Sequence, residues 1–293
     1  MKEARKLAKK NRELTAASVL GRLFRENKMA AVSFAVILLF ILAAIFAPLL
    51  TSYSWSEMDL ASRLQPPSAA HIFGTDEGGR DIFTRLLYGS RISLLVGIVP
   101  SLFSLAIGSL LGVTAGYYGG WVDALIMRLA DIVLAFPSML LAMVLMYMLG
   151  GGLFNVFLTL AIVNWASAAR VIRAETLSLK EREFVESARA IGVRSPVIIL
   201  RHILPNCIPT IIVLFTLNIP DSILTESSLS FLGLGVQPPA ASWGLMVNAG
   251  RQFFYTSPWL CLFPGTAVMI IVLAFHFLGD GLRDILDPRR RKQ

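Results

Sequence analysis

The sequence predicts an all-α membrane protein of about six transmembrane helices with both termini on the cytoplasmic side, and three observations predict it. The 293 residues are 55% hydrophobic and only 16% charged, with a mean hydropathy of +0.66. A soluble domain carries about 25% charged residues, so lipid rather than water is the main solvent. Six apolar stretches of about 20 residues, each able to cross roughly 30 Å of hydrocarbon, recur along the chain. The Lys and Arg residues gather in alternate connections between those stretches, as the positive-inside rule requires.

The first stretch, residues 29–50, contains no charge and follows a basic segment, 1–28. It is too long for a signal-peptide core, so it reads as a first helix and not as a cleaved leader. An external segment, 51–91, is rich in Ser, Pro and acidic residues. The core, 92–281, then holds five further helices. The second helix runs over about 92–117 and closes at Gly119-Gly120, and the third over about 121–149, ending at Gly150-Gly151-Gly152. The fourth covers about 153–172, the fifth 206–229 and the sixth 259–278, before a tail over 282–293. Nine Lys and Arg precede the first helix, seven lie over 170–201 and five lie from Arg283 onward. The opposite connections hold four, namely Arg63, Arg80, Arg85 and Arg251. That asymmetry places the termini and the 173–205 loop in the cytoplasm. The basic ends read as anchors at anionic lipid.

A helical bundle needs only a short turn between its fourth and fifth helices, yet here about thirty residues intervene. Residues 178–189 pattern as an amphipathic helix, with Glu181, Arg182, Glu183 and Glu186 on one side and Phe184, Val185 and Ala188 on the other. Gly192 stands where helices commonly end in a left-handed residue. A second short run, 196–202, starts with Pro in its first turn and leads to Leu204-Pro205. Two readings fit: a docking element whose small residues Ala188, Ala190 and Gly192 admit another backbone, or an interfacial helix lying on headgroups.

The order Glu186-Ser187-Ala188, three residues, Gly192, then Leu204-Pro205 resembles the EAA loop of importer-type ATP-binding-cassette (ABC) permeases, with Ser187 for the middle Ala and His202 at the usual Ile position. The resemblance implies that Glu186, Ser187, Ala188, Gly192, Leu204 and Pro205 form a coupling helix that docks on a separate ATPase subunit. Further segments are similar to the dipeptide/oligopeptide/nickel permeases: His71-Ile72-Phe73-Gly74-Thr75-Asp76 with Gly79-Arg80-Asp81, Gly116-Tyr117-Tyr118-Gly119-Gly120, and Ser230-Phe231-Leu232-Gly233-Leu234-Gly235 with Trp243-Gly244. Gly279-Asp280-Gly281-Leu282-Arg283-Asp284 is similar as well. The likeness runs from about residue 25 to 290 and is to the C-type subunit. It implies half of a translocation pathway for di- and oligopeptides, with nickel or nickel chelates as the alternative cargo. The partners it implies are a second homologous permease in a heterodimer, two cytoplasmic ATPase subunits and an extracytoplasmic substrate-binding protein.

Other classes find less support. None of the seven lysines follows a Gly, so the Lys of a phosphate-cradling loop is missing. The chain is therefore read as non-catalytic and free of cofactors, with ATP and Mg on the partner ATPases. No basic stripe interleaved with aromatics suggests nucleic acid. Cys207 and Cys261 sit in apolar runs without ligand spacing, and His71, His202 and His276 are scattered, so no metal site is expected. A secondary transporter would show an internal repeat and need no coupling loop.

Acids inside membrane helices are costly and default to functional candidates. Asp131 has Arg128 one turn away as a local partner. Asn218, Asp221, Ser222 and Thr225 form a polar group on helix five that would line the pathway, or, for Asp221 and Ser222, meet the partner permease. Glu226 is expected to reach water. Asp76, Glu77, Arg80 and Asp81 lie in the external segment, as an outer gate or binding-protein contact or as a turn with internal ion pairs. The Met residues of helix three read as gap-filling core.

Overall fold

A computed structural model describes Gly21 and residues 27–286. Among the described residues there is no strand, and a single antiparallel bridge joins Thr75 to Asp81. The principal helices are α1 (Lys28–Ile45), α2 (Ala47–Leu50), α3 (Ile82–Tyr118), α4 (Gly120–Ala135), α5 (Ser138–Leu149), α6 (Leu153–Leu179), α7 (Glu183–Ala190), α8 (Ser195–Ile198), α9 (Leu204–Phe231), α10 (Trp243–Gly250) and α11 (Trp259–Leu286). Five of these are long and apolar enough to span a bilayer, and α4 with α5 makes a sixth span if the bent pair is taken as one.

The boundaries depart from the hydropathy pattern for local reasons. The Asn27 side chain caps α1 by accepting from the Ala30 N–H at 3.0 Å. The helix breaks at Phe46, two residues before Pro48, whose ring and missing N–H do not suit a helix interior. Helix α3 starts ten residues earlier than apolarity suggests, because Asp81 accepts from the Thr84 N–H at 2.8 Å and so caps the charged first turns into the helix. At 37 residues it is about 55 Å long, more than the hydrocarbon needs. The third span is not continuous: α4 and α5 meet at 90°. Phe136 is extended there (φ −91°, ψ 140°), the conformation that a following Pro imposes on its predecessor.

Packing centres on α3 and α6. Gly108, Gly112 and Gly116 form a stripe at intervals of four on α3 that lies directly on the α6 backbone. A Cβ at Gly112 would stand 2.5 Å from the Ala169 carbonyl oxygen, and one at Gly108 2.7 Å from that of Trp165. Small residues at this spacing let membrane helices approach to backbone contact. One apolar cluster joins α1, α3, α9, α10 and α11 around Ile219, Ile223, Trp243 and Ile271. A second joins α5 and α6 through Ala142, Met146 and Leu160. The third lies at the end of the bundle that carries the basic loop, around Tyr117, Ile172, Ile198 and Ile203. It is the floor on which that loop rests.

Candidate functional site

The connection between α6 and α9 folds as the sequence suggests in outline and differs in detail. Helix α6 continues to Leu179, so the amphipathic helix is shorter than 178–189 and starts at Glu183, after Arg182 turns extended (φ −80°, ψ 143°). Glu183 and Glu186 occupy its first turn and Arg189 its last, the arrangement the helix dipole favours. It ends in a Schellman motif: Gly192 has φ +79°, its N–H donates to Arg189 O at 2.9 Å, and the Val193 N–H donates to Ala188 O at 3.0 Å.

Val185 and Ala188 are buried in the third cluster. Ala188 is therefore filled by its own bundle and does not offer the close approach expected of it. Arg189 lies over the Tyr117 ring, 4.9 Å from its centroid. The opposite face of α7 is bare: Glu186, Ser187 and Ala190 are exposed, Phe184 is 41% and Ile191 79% exposed. After α8, residues Ile199–Ile203 form a π-turn in which the Leu204 N–H donates to Ile199 O. Pro205, which has no N–H and would crowd the carbonyl four residues back, accounts for the widening. Leu204 is half-buried at the start of α9.

On α9, Asp221 is exposed while Asn218 and Thr225 are half-buried on the same open face, and the Thr225 hydroxyl donates to Asp221 O at 2.7 Å. Ser222 is turned away: it is fully buried, with its Oγ 3.3 Å from that of Ser101 on α3. Glu226 does not reach water. It is 0% exposed, and its Oε1 accepts from Ser230 at 2.7 Å and from Ser242 at 2.9 Å. Each of those hydroxyls also accepts a backbone N–H, from Val236 and Leu245 respectively. Glu226 thus pins the 232–242 loop and the start of α10 to α9. Asp131 pairs across helices with Arg170 at 2.6 Å, not with Arg128, and Arg173 grips Asp123 through two hydrogen bonds.

The external quartet is knit together. Asp76 is 5% exposed and accepts from Gly78 N at 2.8 Å, Arg80 N at 3.0 Å and Arg80 Nε at 2.8 Å, with Arg85 Nε 3.3 Å away. Arg80 also reaches Glu77 at 3.0 Å. Asp81 caps α3 and contacts His71 Nδ1 at 3.0 Å. Gly79 (φ +73°) lies so close to Asp59 that a Cβ would overlap its carbonyl oxygen. Among the described residues no three His, Cys, Asp or Glu are placed to hold a metal ion. Sequence reasoning missed the glycine stripe of α3 and Ser242, and it named Ser230 and Trp243 only as motif residues, without the clasp on Glu226 or the buried packing they make. The stripe was visible as three glycines at intervals of four.

The described residues form a polytopic helical bundle with an amphipathic helix presented between α6 and α9. Residues 108–292 match the binding-protein-dependent transport system inner membrane component family, and residues 20–67 match the N-terminal transmembrane domain of oligopeptide transport permease C. The chain belongs to this family and is a multi-pass inner-membrane permease subunit of the ABC transporter class. It is 50% identical over 267 residues to the dipeptide transport system permease protein DppC of Alkalihalophilus pseudofirmus, covering 91% of this chain and 88% of that one. It is 41% identical to the oligopeptide transport system permease protein OppC of Bacillus subtilis, over 99% of this chain and 94% of that one. It is 45% identical to the glutathione transport system permease protein GsiD of Escherichia coli, over 92% and 89%. The fold is similar to a chain of the MetNI methionine ABC transporter in an inward-facing conformation, with TM-score 0.55 and 19% identity over 69% of this chain and 96% of that one.

Proposed function

We propose that the chain forms half of the membrane pathway of an importer for di- and oligopeptides and is driven by separate ATPase subunits that dock on α7. The basic end of the bundle faces the cytoplasm and the Asp76–Asp81 turn faces outward, toward a substrate-binding protein. A second, homologous permease covers the open face of α9. The names of the relatives support the cargo class.

One observation carries the coupling role. Val185 and Ala188 anchor α7 rigidly in the bundle, while Phe184, Ser187 and Ile191 are left bare on its other side. A helix resting on headgroups would have no need of that anchorage. One held on a third apolar cluster passes a push on its outer face directly to Ile172 of α6 and Ile203 at the start of α9. Asn218, Asp221 and Thr225 then line the pathway. Ser222, locked to Ser101, holds α9 to α3. Asp76 and Asp81 stiffen the outer turn from within, and Glu77 and Arg80 lie nearer its surface.

The test is purification of the tagged chain from its native membrane under mild conditions, with identification of what accompanies it. ATPase subunits and a second permease are expected with the wild type. Gly192→Val forces a β-branched residue to a positive φ, at a cost of roughly 1–2 kcal/mol, and turns the end of α7. It should lose the ATPases and peptide uptake while the second permease stays bound. A wild-type chain that purifies without any ATPase, or a Gly192→Val complex that transports normally, would refute the coupling reading.

A further inference from the structure

Between α6, α9 and α11, in the basic half of the bundle, lies a cavity of about 470 Å³. Its polar lining is Glu175, Asn206, Thr210 and Arg283, and apolar side chains such as Val213 and Leu217 form its walls. Oε2 of Glu175 is sealed from solvent and has no hydrogen-bond partner. None of the ion pairs among the described residues uses Arg283. The two opposite charges therefore share one cavity without satisfying each other. Thr210 hydrogen-bonds to the Glu175 carboxylate, so only Oε2 lacks a partner; a carboxylate oxygen shielded from water is costly unless a cation comes to it. Arg283 is exposed at the rim of the cavity, and a guanidinium is shaped to hold a carboxylate in two parallel hydrogen bonds.

The placement separates this cavity from the lipid side. On α9, Thr210, Leu217 and Asp221 follow at spacings of seven and four, so they share one face. The cavity thus opens on the face that carries Asp221, Asn218 and Thr225. The other flank of α9, toward α3, is a cleft of about 560 Å³ lined by Leu102, Leu105, Ile211, Phe215 and similar side chains. A lipid chain suits that flank. Carboxylate, guanidinium, amide and hydroxyl are gathered on the other. A volume of this size lies within the roughly 300–1,000 Å³ of small-ligand sites and suits a short ligand rather than an extended chain.

We propose that this cavity is the exit subsite for a di- or tripeptide with free termini. Glu175 receives the peptide's ammonium, Arg283 its carboxylate, and Val213 and Leu217 take up its side chains. The assignment rests on the peptide-import reading above and adds to it the charge pattern of the cargo at its last stop.

The experiment uses the complete complex, co-purified with its partner subunits and reconstituted in vesicles, with ATP and binding protein loaded with alanyl-alanine. Turnover should fall about tenfold in Glu175→Gln and in Arg283→Gln, the loss of one charge-assisted hydrogen bond. The concentration of loaded binding protein giving half-maximal uptake should not change, because that protein acts at the other membrane face. A dipeptide carrying benzoylphenylalanine, irradiated during turnover, should label residues 213–217 in the wild type and label them about tenfold less in Glu175→Gln. Unchanged turnover in both variants, or labelling confined to the α3 flank of α9, would overturn the assignment. So would a defect that disappears in vesicles lacking phosphatidylethanolamine, since the cavity would then hold a lipid headgroup. A wild-type complex that imports no dipeptide would refute the peptide reading itself and the subsite with it.

Discussion

Gly112 is the position where one methyl group should be felt most directly. A Cβ there would stand 2.5 Å from the Ala169 carbonyl oxygen and 3.1 Å from both the Arg173 nitrogen and the Ile172 Cβ. Two of these three neighbours are backbone atoms of α6, which no side-chain rotation can clear. To reach the ordinary contact distance of 3.4 Å, α6 must retreat by about 0.9 Å. A gap of that size forfeits a quarter to a half of each dispersion contact it opens, and forced overpacking typically costs about 1–3 kcal/mol. Gly112→Ala should therefore lower the apparent melting temperature of the detergent-solubilised chain by roughly 3–10 °C, read as loss of the monodisperse peak after heating. Gly265→Ala is the matched control. Gly265 lies within α11, has no atom within 4 Å of its Cβ position and lacks a positive φ, so alanine there should be neutral or stabilising by up to about 1 kcal/mol. Equal stability of Gly112→Ala and wild type would refute the backbone-contact account of the α3–α6 pair.

Three further predictions follow from the same geometry. Asp81→Ala removes the cap of α3 and the partner of His71 and should cost about 1–2 kcal/mol in thermal stability, with Asn recovering most of it; equal losses in both variants would count against capping. Glu226→Gln keeps an acceptor for Ser230 and Ser242 and should fold normally. Glu226→Ala strands two hydroxyls at roughly 1–3 kcal/mol each and should expose the 232–242 loop to protease, an effect whose absence would remove the clasp assigned to this acid. Trp243 is fully buried, donates from Nε1 to Leu86 O at 3.1 Å and meets the Phe40 ring edge-on at 5.6 Å. Trp243→Leu should destabilise by about 2–4 kcal/mol, and a variant melting within 2 °C of wild type would contradict that packing.

Hydropathy made the spans legible because a bilayer demands long apolar runs whatever their neighbours are. Gly192 was legible because a helix stop needs a left-handed residue, a purely local requirement. What the apolar pattern hides is direction and pairing. Phe136-Pro137 sits inside an uninterrupted apolar run, so composition reads one span where the backbone turns through a right angle. Asp131 has Arg128 beside it in sequence, but the tertiary fold brings Arg170 nearer. Glu226 has no local feature that distinguishes a clasp from a wet helix end, since one of its partners, Ser242, lies sixteen residues on. The charged stretch at residues 80–91 looks too polar for a span, and only the cap at Asp81 extends α3 through it.

The bend between α4 and α5 has a consequence for what must surround the chain. Where a helix stops, its last four carbonyls and the first four N–H groups of its successor lose their regular partners. Hydrocarbon offers no replacement, and irregular backbone at membrane depth is tolerated only against protein or water. Leu134, Phe136, Pro137 and Ser138 are exposed, so wherever the break lies at hydrocarbon depth it needs protein or water on that side. The bend then acts as a compass needle: at that depth, the backbone groups it frees set which side of the subunit must meet protein or water, and they do so before any partner is in view.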